Sequence, residues 1–243
     1  MARLKTVNQI INQAAIEVGL LPVTDPVAST EETFVQMEGL LNGAGLELIN
    51  LHDWQNLIKT FAFTTLAGDT GTYDLPEDFD HMIDQTGWDR SNTVALGGPL
   101  SAQDWTYLLG RDLVNKTIYA SFRQAEGKLQ LFPQPPSVGL NISFEYMSCN
   151  WLEEVGGDFV EEITDGSNIC QLPAQLVTKF LKLKWLSAKG FDTTNAALEF
   201  DTLLDSRTGK DTGAAILSAG QNGRQFPYIT PYGNVGDTGF GTP

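Results

Sequence analysis

An α+β fold is predicted by three observations: helical spacing of apolar residues at both ends of the chain, apolar–polar alternation in its middle, and Gly/Pro clusters between the segments. At 243 residues the chain is long enough for one compact domain, or for two small ones sharing an interface. The expected architecture is an α-helical bundle formed by N- and C-terminal helices (1–58 and 172–209). Into it is inserted an antiparallel β-sheet domain (59–171), and an extended Gly-rich C-terminal arm follows (210–243).

The first helix is expected over 6–18, where Val7, Ile10, Ile11, Ala14, Ala15 and Val18 fall at helical spacing. Thr6 is its N-cap and Gly19 its stop, and Pro22 and Pro26 punctuate the turn that follows. A longer helix begins at Ser29 or Thr30, with Ser29 and Glu32 spaced as a capping box. Its apolar face runs through Phe34, Met37, Leu40, Leu41, Leu48 and Ile49 toward Trp54. Gly39, Gly43 and Gly45 each weaken it by up to about 1 kcal/mol relative to Ala, unless another helix packs closely there.

In the middle, Thr60–Leu66 reads as a strand and Gly68–Gly71 as a turn. Tyr73–Phe79 (YDLPEDF) is too short and Pro-broken for a regular element, and Met82–Trp88 reads as another strand. A short helix is expected near 101–109, with Ser101 and Asp104 as a capping box and Trp105, Leu108 and Leu109 on one face. Thr117–Gln124 carries the clearest alternation. A turn at 125–127 leads to Leu129 and Leu131, and Ile142, Phe144 and Tyr146 alternate again, as in a meander. Helices return at 174–189, stopped by Gly190, and at 194–207.

Residues 210–243 hold seven glycines and three prolines without periodicity, so they build no core of their own. Ordering such a backbone costs about 1–2 kcal/mol per residue. Phe226, Tyr228, Tyr232 and Phe240 are the side chains able to offset that cost, together by roughly 20 kcal/mol at most. They do so only when buried against something else, which predicts an arm docked on a neighbouring chain.

The charge balance narrows function. Fifteen basic residues face 30 acidic ones, for a net −15. A protein that grips duplex DNA neutralises phosphates with clustered Lys and Arg, so specific DNA binding is not expected. No run of about 18 apolar residues is present, which excludes a transmembrane helix, and Met1–Lys5 leads into an amphipathic pattern, so cytoplasmic synthesis is expected. Cys149 and Cys170 read as free thiols.

No catalytic constellation emerges. His52 and His81 have no Cys or His partner at ligand spacing, and the phosphate-cradling and nucleophile-elbow motifs are missing. No cofactor or metal is expected. Glu153, Glu154, Asp158, Glu161, Glu162 and Asp165 form a dense acidic run beside Trp151. Paired carboxylates hydrolyse glycosides when held about 5–10 Å apart with one pKa raised, but this run reads as a solvated acidic loop. It lacks the pattern of an EF-hand calcium loop.

In order along the chain, LKTVNQIINQAAIEVGL (Leu4–Leu20), the Phe63–Phe79 stretch ending in YDLPEDF, WDR (Trp88–Arg90) and GPLSAQDW (Gly98–Trp105) form a series. It continues with GKLQLFPQPP (Gly127–Pro136), FEYMSCNW (Phe144–Trp151) and LVTKFLKLKWLSAKGFD (Leu176–Asp192). This series resembles the head-to-tail adaptors of short-tailed bacteriophages, the tail tubular protein A-like family, over about residues 1–210. The resemblance implies a structural, non-enzymatic virion protein at the head–tail junction. It would form a homo-oligomeric ring, commonly a dodecamer, below the portal protein, extending the DNA channel toward the tail nozzle protein and tail fibres. The C-terminal segment, with Phe226, Tyr228, Tyr232 and Phe240, would embrace the portal. Double-stranded DNA would pass without specific binding, and the acidic residues are candidates for the channel or loop surface. The alternatives are a tail component that binds or hydrolyses glycans, or another head-completion or nozzle protein.

Overall fold

A computed structural model describes residues 4–110, 121–134 and 136–211. The arm residues Phe226, Tyr228, Tyr232 and Phe240 lie outside the described residues, as does the start of the strand expected at Thr117–Gln124.

In chain order, β1 (Lys5–Thr6) leads into α1 (Val7–Glu17), followed by α2 (Glu32–Leu51) and a 3-10 turn at Gln55–Leu57. The strands β2 (Ile58–Thr64), β3 (Thr72–Asp74), β4 (Phe79–Met82), β5 (Trp88–Asp89) and β6 (Val94–Ala95) precede α3 (Ala102–Gly110). After β7 (Ser121–Ala125), β8 (Lys128–Phe132) and β9 (Asn141–Ser148) come β10 (Leu152–Glu153), β11 (Phe159–Val160) and β12 (Ile169–Cys170). The last helices are α4 (Ala174–Ala188) and α5 (Thr194–Asp211). The chain is therefore α+β, with antiparallel sheets between helices.

The ends of the helices follow local chemistry. The Thr6 side chain accepts from the Gln9 N–H and the Gln9 side chain accepts from the Thr6 N–H, a complete capping box. Gly19 and Gly190 stop α1 and α4 with φ of +85° and +73°, which side chains disfavour. The box expected at Ser29–Glu32 does not form. Ser29 Oγ accepts from the Glu31 N–H instead, and Glu31 is the N-cap of α2. Ser101 does cap α3, accepting the Asp104 N–H while its hydroxyl donates to the Asp104 carboxylate. Of the apolar face expected on α3 only Trp105 is buried, and Leu109 is exposed.

Three expectations in the middle of the chain need correction. YDLPEDF is not irregular throughout: Thr72–Asp74 pairs with β8 and Phe79 opens a strand on β9, and Pro76 falls between the two where it blocks no ladder bond. Met82–Trp88 is not one strand. The chain turns after Met82, with Gln85 at φ +64°, and resumes pairing at Trp88. Nor is the sheet a simple meander. The orders are β2-β9-β5-β6, with β4 also on β9, and β3-β8-β7, so consecutive β8 and β9 belong to different sheets. The hairpin at 125–127 does form, with Glu126 and Gly127 both at positive φ.

Two hydrophobic cores result. The first gathers Val7, Ile10 and Ile11 of α1, Met37, Leu41 and Leu48 of α2, and Leu176, Val177 and Leu181 of α4. It also takes in Trp54, Met147, Trp151, Leu152 and Cys170 from between the helices. The second, between the sheets, comprises Leu96, Phe122, Leu129, Leu131, Ile142, Phe144 and Tyr146. Strand β9 serves both, because alternate residues face opposite ways.

Of the three glycines in α2, only Gly45 meets a neighbour. A Cβ there would fall inside the Trp151 ring, whereas Gly39 and Gly43 face open space. In the isolated chain, Gly39→Ala and Gly43→Ala should each stabilise by up to about 1 kcal/mol. Gly45→Ala should destabilise by about 1–3 kcal/mol through overpacking. Urea unfolding of the three variants checks the contrast.

Candidate functional site

The acidic run is not merely a loop. It overlaps β10 and includes β11, which join β12 and β1 in a four-stranded sheet of order β1-β12-β10-β11. Its carboxylates diverge rather than meet. Glu153 accepts from the Gln171 side-chain amide at 2.6 Å, and Glu154 from the Thr164 hydroxyl at 2.6 Å. Asp158 lies in the hairpin turn, where its carbonyl accepts from the Glu154 N–H. Glu161 and Glu162 are exposed, and Asp165 accepts from the Ser167 N–H and hydroxyl, which hold its carboxyl below the usual range. Among the described residues no group of three His, Cys, Asp or Glu is placed to hold a metal ion.

What the run does share is a scaffold. Trp151, fully buried, lies on Gly45 of α2, and its indole N–H donates to the Glu161 carbonyl at 2.7 Å. The Ile163 N–H donates to Asn42 of α2 at 3.0 Å. Asn168, 1% exposed, accepts from the Thr164 and Asp165 N–H groups through its side chain, and its carbonyl takes the Val7 N–H. The Gly166 carbonyl takes the Asn8 N–H, and a Cβ at Gly166 would collide with the Asn8 side chain. Two N–H groups that a helix start leaves unpaired are thereby satisfied by the acidic segment.

A second polar cluster was not singled out from sequence. Asp78, within YDLPEDF, accepts from Lys59 Nζ at 2.6 Å, Ser148 Oγ at 2.6 Å and the Tyr146 hydroxyl at 2.9 Å. Its carbonyl also takes the Cys149 N–H. Burial alone would raise the Asp78 carboxyl, but the Lys59 ammonium and the two hydroxyls outweigh it and hold the group below its ordinary value. Burial raises the Tyr146 phenol, and the Asp78 carboxylate raises it further. Lys59 also sits 4.4 Å over the Phe159 ring, tying β2 to β11. An Asp–Ser–Lys set suggests nucleophilic chemistry, yet Ser148 is fully buried and Tyr146 only 5% exposed. No substrate reaches that hydroxyl, and the cluster is a structural hub.

Among the described residues, five lysines are paired with carboxylates. Lys59, Lys128 and Lys184 pair with Asp78, Asp74 and Glu47 at 2.6, 2.9 and 2.5 Å. Lys179 and Lys182 each face both Glu17 and Glu199, a four-charge bridge across α1, α4 and α5. Hydrogen bonds that Lys179 donates to Glu17 and Glu199 raise its ammonium, and Lys179 lowers Glu199. Arg90 and Arg123 stack over Trp88 and Trp105 and donate through Nε to Ser143 and Gln130. Trp54, Trp105, Trp151 and Trp185 are buried packing residues.

The chain matches no family model, and no curated protein matches it.

The Asp78 hub has a testable pH consequence. Its folded-state carboxyl titrates below the unfolded value of 3.8, so its stabilisation is present above that pH and is lost as pH falls through the lower folded value. Asp78→Asn should cost about 2–3 kcal/mol at pH 7, because it leaves Lys59 without its counter-charge. Urea unfolding between pH 2 and 7 should show the variant's deficit shrinking below pH 4.

Proposed function

We propose that the chain is a structural virion protein, the head-to-tail adaptor of a short-tailed phage, acting as a ring without catalysis. The observation that carries the reading is the ordered series of segments from Leu4–Leu20 to Leu176–Asp192. In this reading the N- and C-terminal helices close one bundle, the sheets project from it, and the segment after α5 supplies the arm that reaches the portal through Phe226, Tyr228, Tyr232 and Phe240. The ring would extend the channel between portal and nozzle.

Charge supports the conduit role. Six to ten Lys or Arg contacts hold a duplex firmly, and a channel must avoid that grip. Here the lysines at 59, 128, 179, 182 and 184 are already paired with carboxylates, while Glu161 and Glu162 stay exposed. Carboxylates on a lumen act over a Debye length of about 8 Å, enough to discourage adhesion. No helix among the described residues is long and apolar enough to cross a membrane.

Particles assembled without this protein test the role. They should hold DNA-filled heads that leak or lack tails, whereas tailless but stably sealed heads would place the protein elsewhere. Purified protein should leave duplex DNA unretarded in a gel at about 150 mM salt, and a salt-sensitive shift would contradict the conduit surface. Deleting residues 218–243 should leave a folded subunit that no longer co-purifies with the portal.

A further inference from the structure

Helix α5 is poorly covered for its length. Of its 18 residues only Ala196 and Phe200 are buried, whereas α4 buries seven of 15. Leu198 is 67% exposed. A helix so held draws little stability from packing, and tertiary packing is the usual source. Beside it, between α5, α1 and α4, runs a furrow of about 670 Å³ lined by Thr178, Leu198, Thr202, Leu203 and Ser206. It continues along α1 into a second hollow of about 700 Å³, shared at Gln13 and Glu17, where Ile16 is exposed.

The furrow is close to electrical balance on a strongly acidic protein. The charged residues that line it are Glu17, Lys179 and Glu199, with Lys182 paired to both carboxylates from beside it, and the rest of its lining is amide, hydroxyl and aliphatic. Such a surface suits a neutral, mildly apolar chain. The chain's own sequence from 212 onward has one Arg (Arg224) and one Asp (Asp237), so the whole net charge of −15 resides in the first 211 residues.

Its starting point also fits. The Asp211 carboxylate accepts the Gln55 N–H at 2.9 Å and faces His52 at 3.4 Å, which fixes the end of α5 against the corner after α2. Ser206, at the furrow's near rim, lies five residues back, or about 7.5 Å along the helix. Two residues, Thr212 and Gly213, are enough chain to reach about 7 Å, and glycine permits a reversal of direction. The next four residues, Ala214, Ala215, Ile216 and Leu217, are apolar and reach about 13 Å when extended. The furrow from Ser206 to Leu198 measures about 12 Å along α5.

We infer that Ala214–Leu217 of the same chain dock in the furrow between α1 and α5, with Leu217 against Leu198. This seats the root of the C-terminal segment and leaves the aromatic residues from Phe226 onward to reach a partner. The docking is a property of the single subunit and stands apart from the adaptor role.

Hydrogen exchange tests it on the full chain, a chain ending at Asp211 and a chain ending at Ala219. The α5 amides should exchange about tenfold slower in the full chain and the 219-residue chain than in the 211-residue chain. Leu198→Glu, at a position too exposed to disturb the core, should bring the full chain to the level of the 211-residue chain and leave the latter unchanged. Equal α5 exchange in all three chains would overturn the inference. So would protection missing from the 219-residue chain, which would assign the seat to later residues. Protection that grows with protein concentration would overturn it too, since the occupant would then be a neighbour's tail.

Discussion

The stacking of Trp151 on Gly45 is the contact on which the helical and sheet parts of the chain depend. The bare α2 backbone at Gly45 lets an entire indole lie in the first core, and that indole's N–H is spent on the Glu161 carbonyl. Trp151 follows β9 and precedes β10 directly, so one side chain sets where the sheet residues meet the helix pair. The segment bearing most of the local negative charge is thereby pinned to α2 through Trp151 and Asn42, and to the start of α1 through Asn168 and Gly166. Exposed carboxylates on such a frame hold a field in place, which a free loop would not.

The same economy applies to charge elsewhere. Half-buried lysines are used to join elements distant in sequence: Lys59 to the loop at Asp78, Lys184 to α2, and Lys179 and Lys182 across three helices. Cations spent in this way are not presented to phosphates, and the acidic surplus is left at the surface. In the proposed adaptor role, where DNA would pass without adhering, that distribution would matter more than the net charge itself.

Helices were legible wherever a full 3.6-residue pattern met a local stop signal. Val7–Ala15 with Thr6 and Gly19 is the clearest case, and α4 with Gly190 is another. Helix α5 runs to Asp211, past the expected end at 207, because polar residues 205–211 carry no apolar signal and are held instead by side-chain bonds such as Arg207 to Gln175 and Gln55 N–H to Asp211. The two-residue strands β1, β10, β11 and β12 escaped notice for a related reason. A strand that short has no period, and its place is fixed by partners far away, such as Lys5 opposite Cys170. The acidic run was visible as composition, yet its organisation rests on Asn168, Gly166 and Asn42, none of which is distinctive in a linear reading. Asp78 was hidden most completely, since its three partners lie 19, 68 and 70 residues away.

A low-resolution reconstruction of the assembled particle tests the central claim most directly. The adaptor reading predicts a ring of copies of this chain around the DNA channel, between the portal vertex and the tail nozzle, with exposed carboxylates such as Glu161 and Glu162 toward the lumen. Copies found as isolated subunits at fibre tips, or a ring whose lumen is mainly basic or apolar, would contradict it.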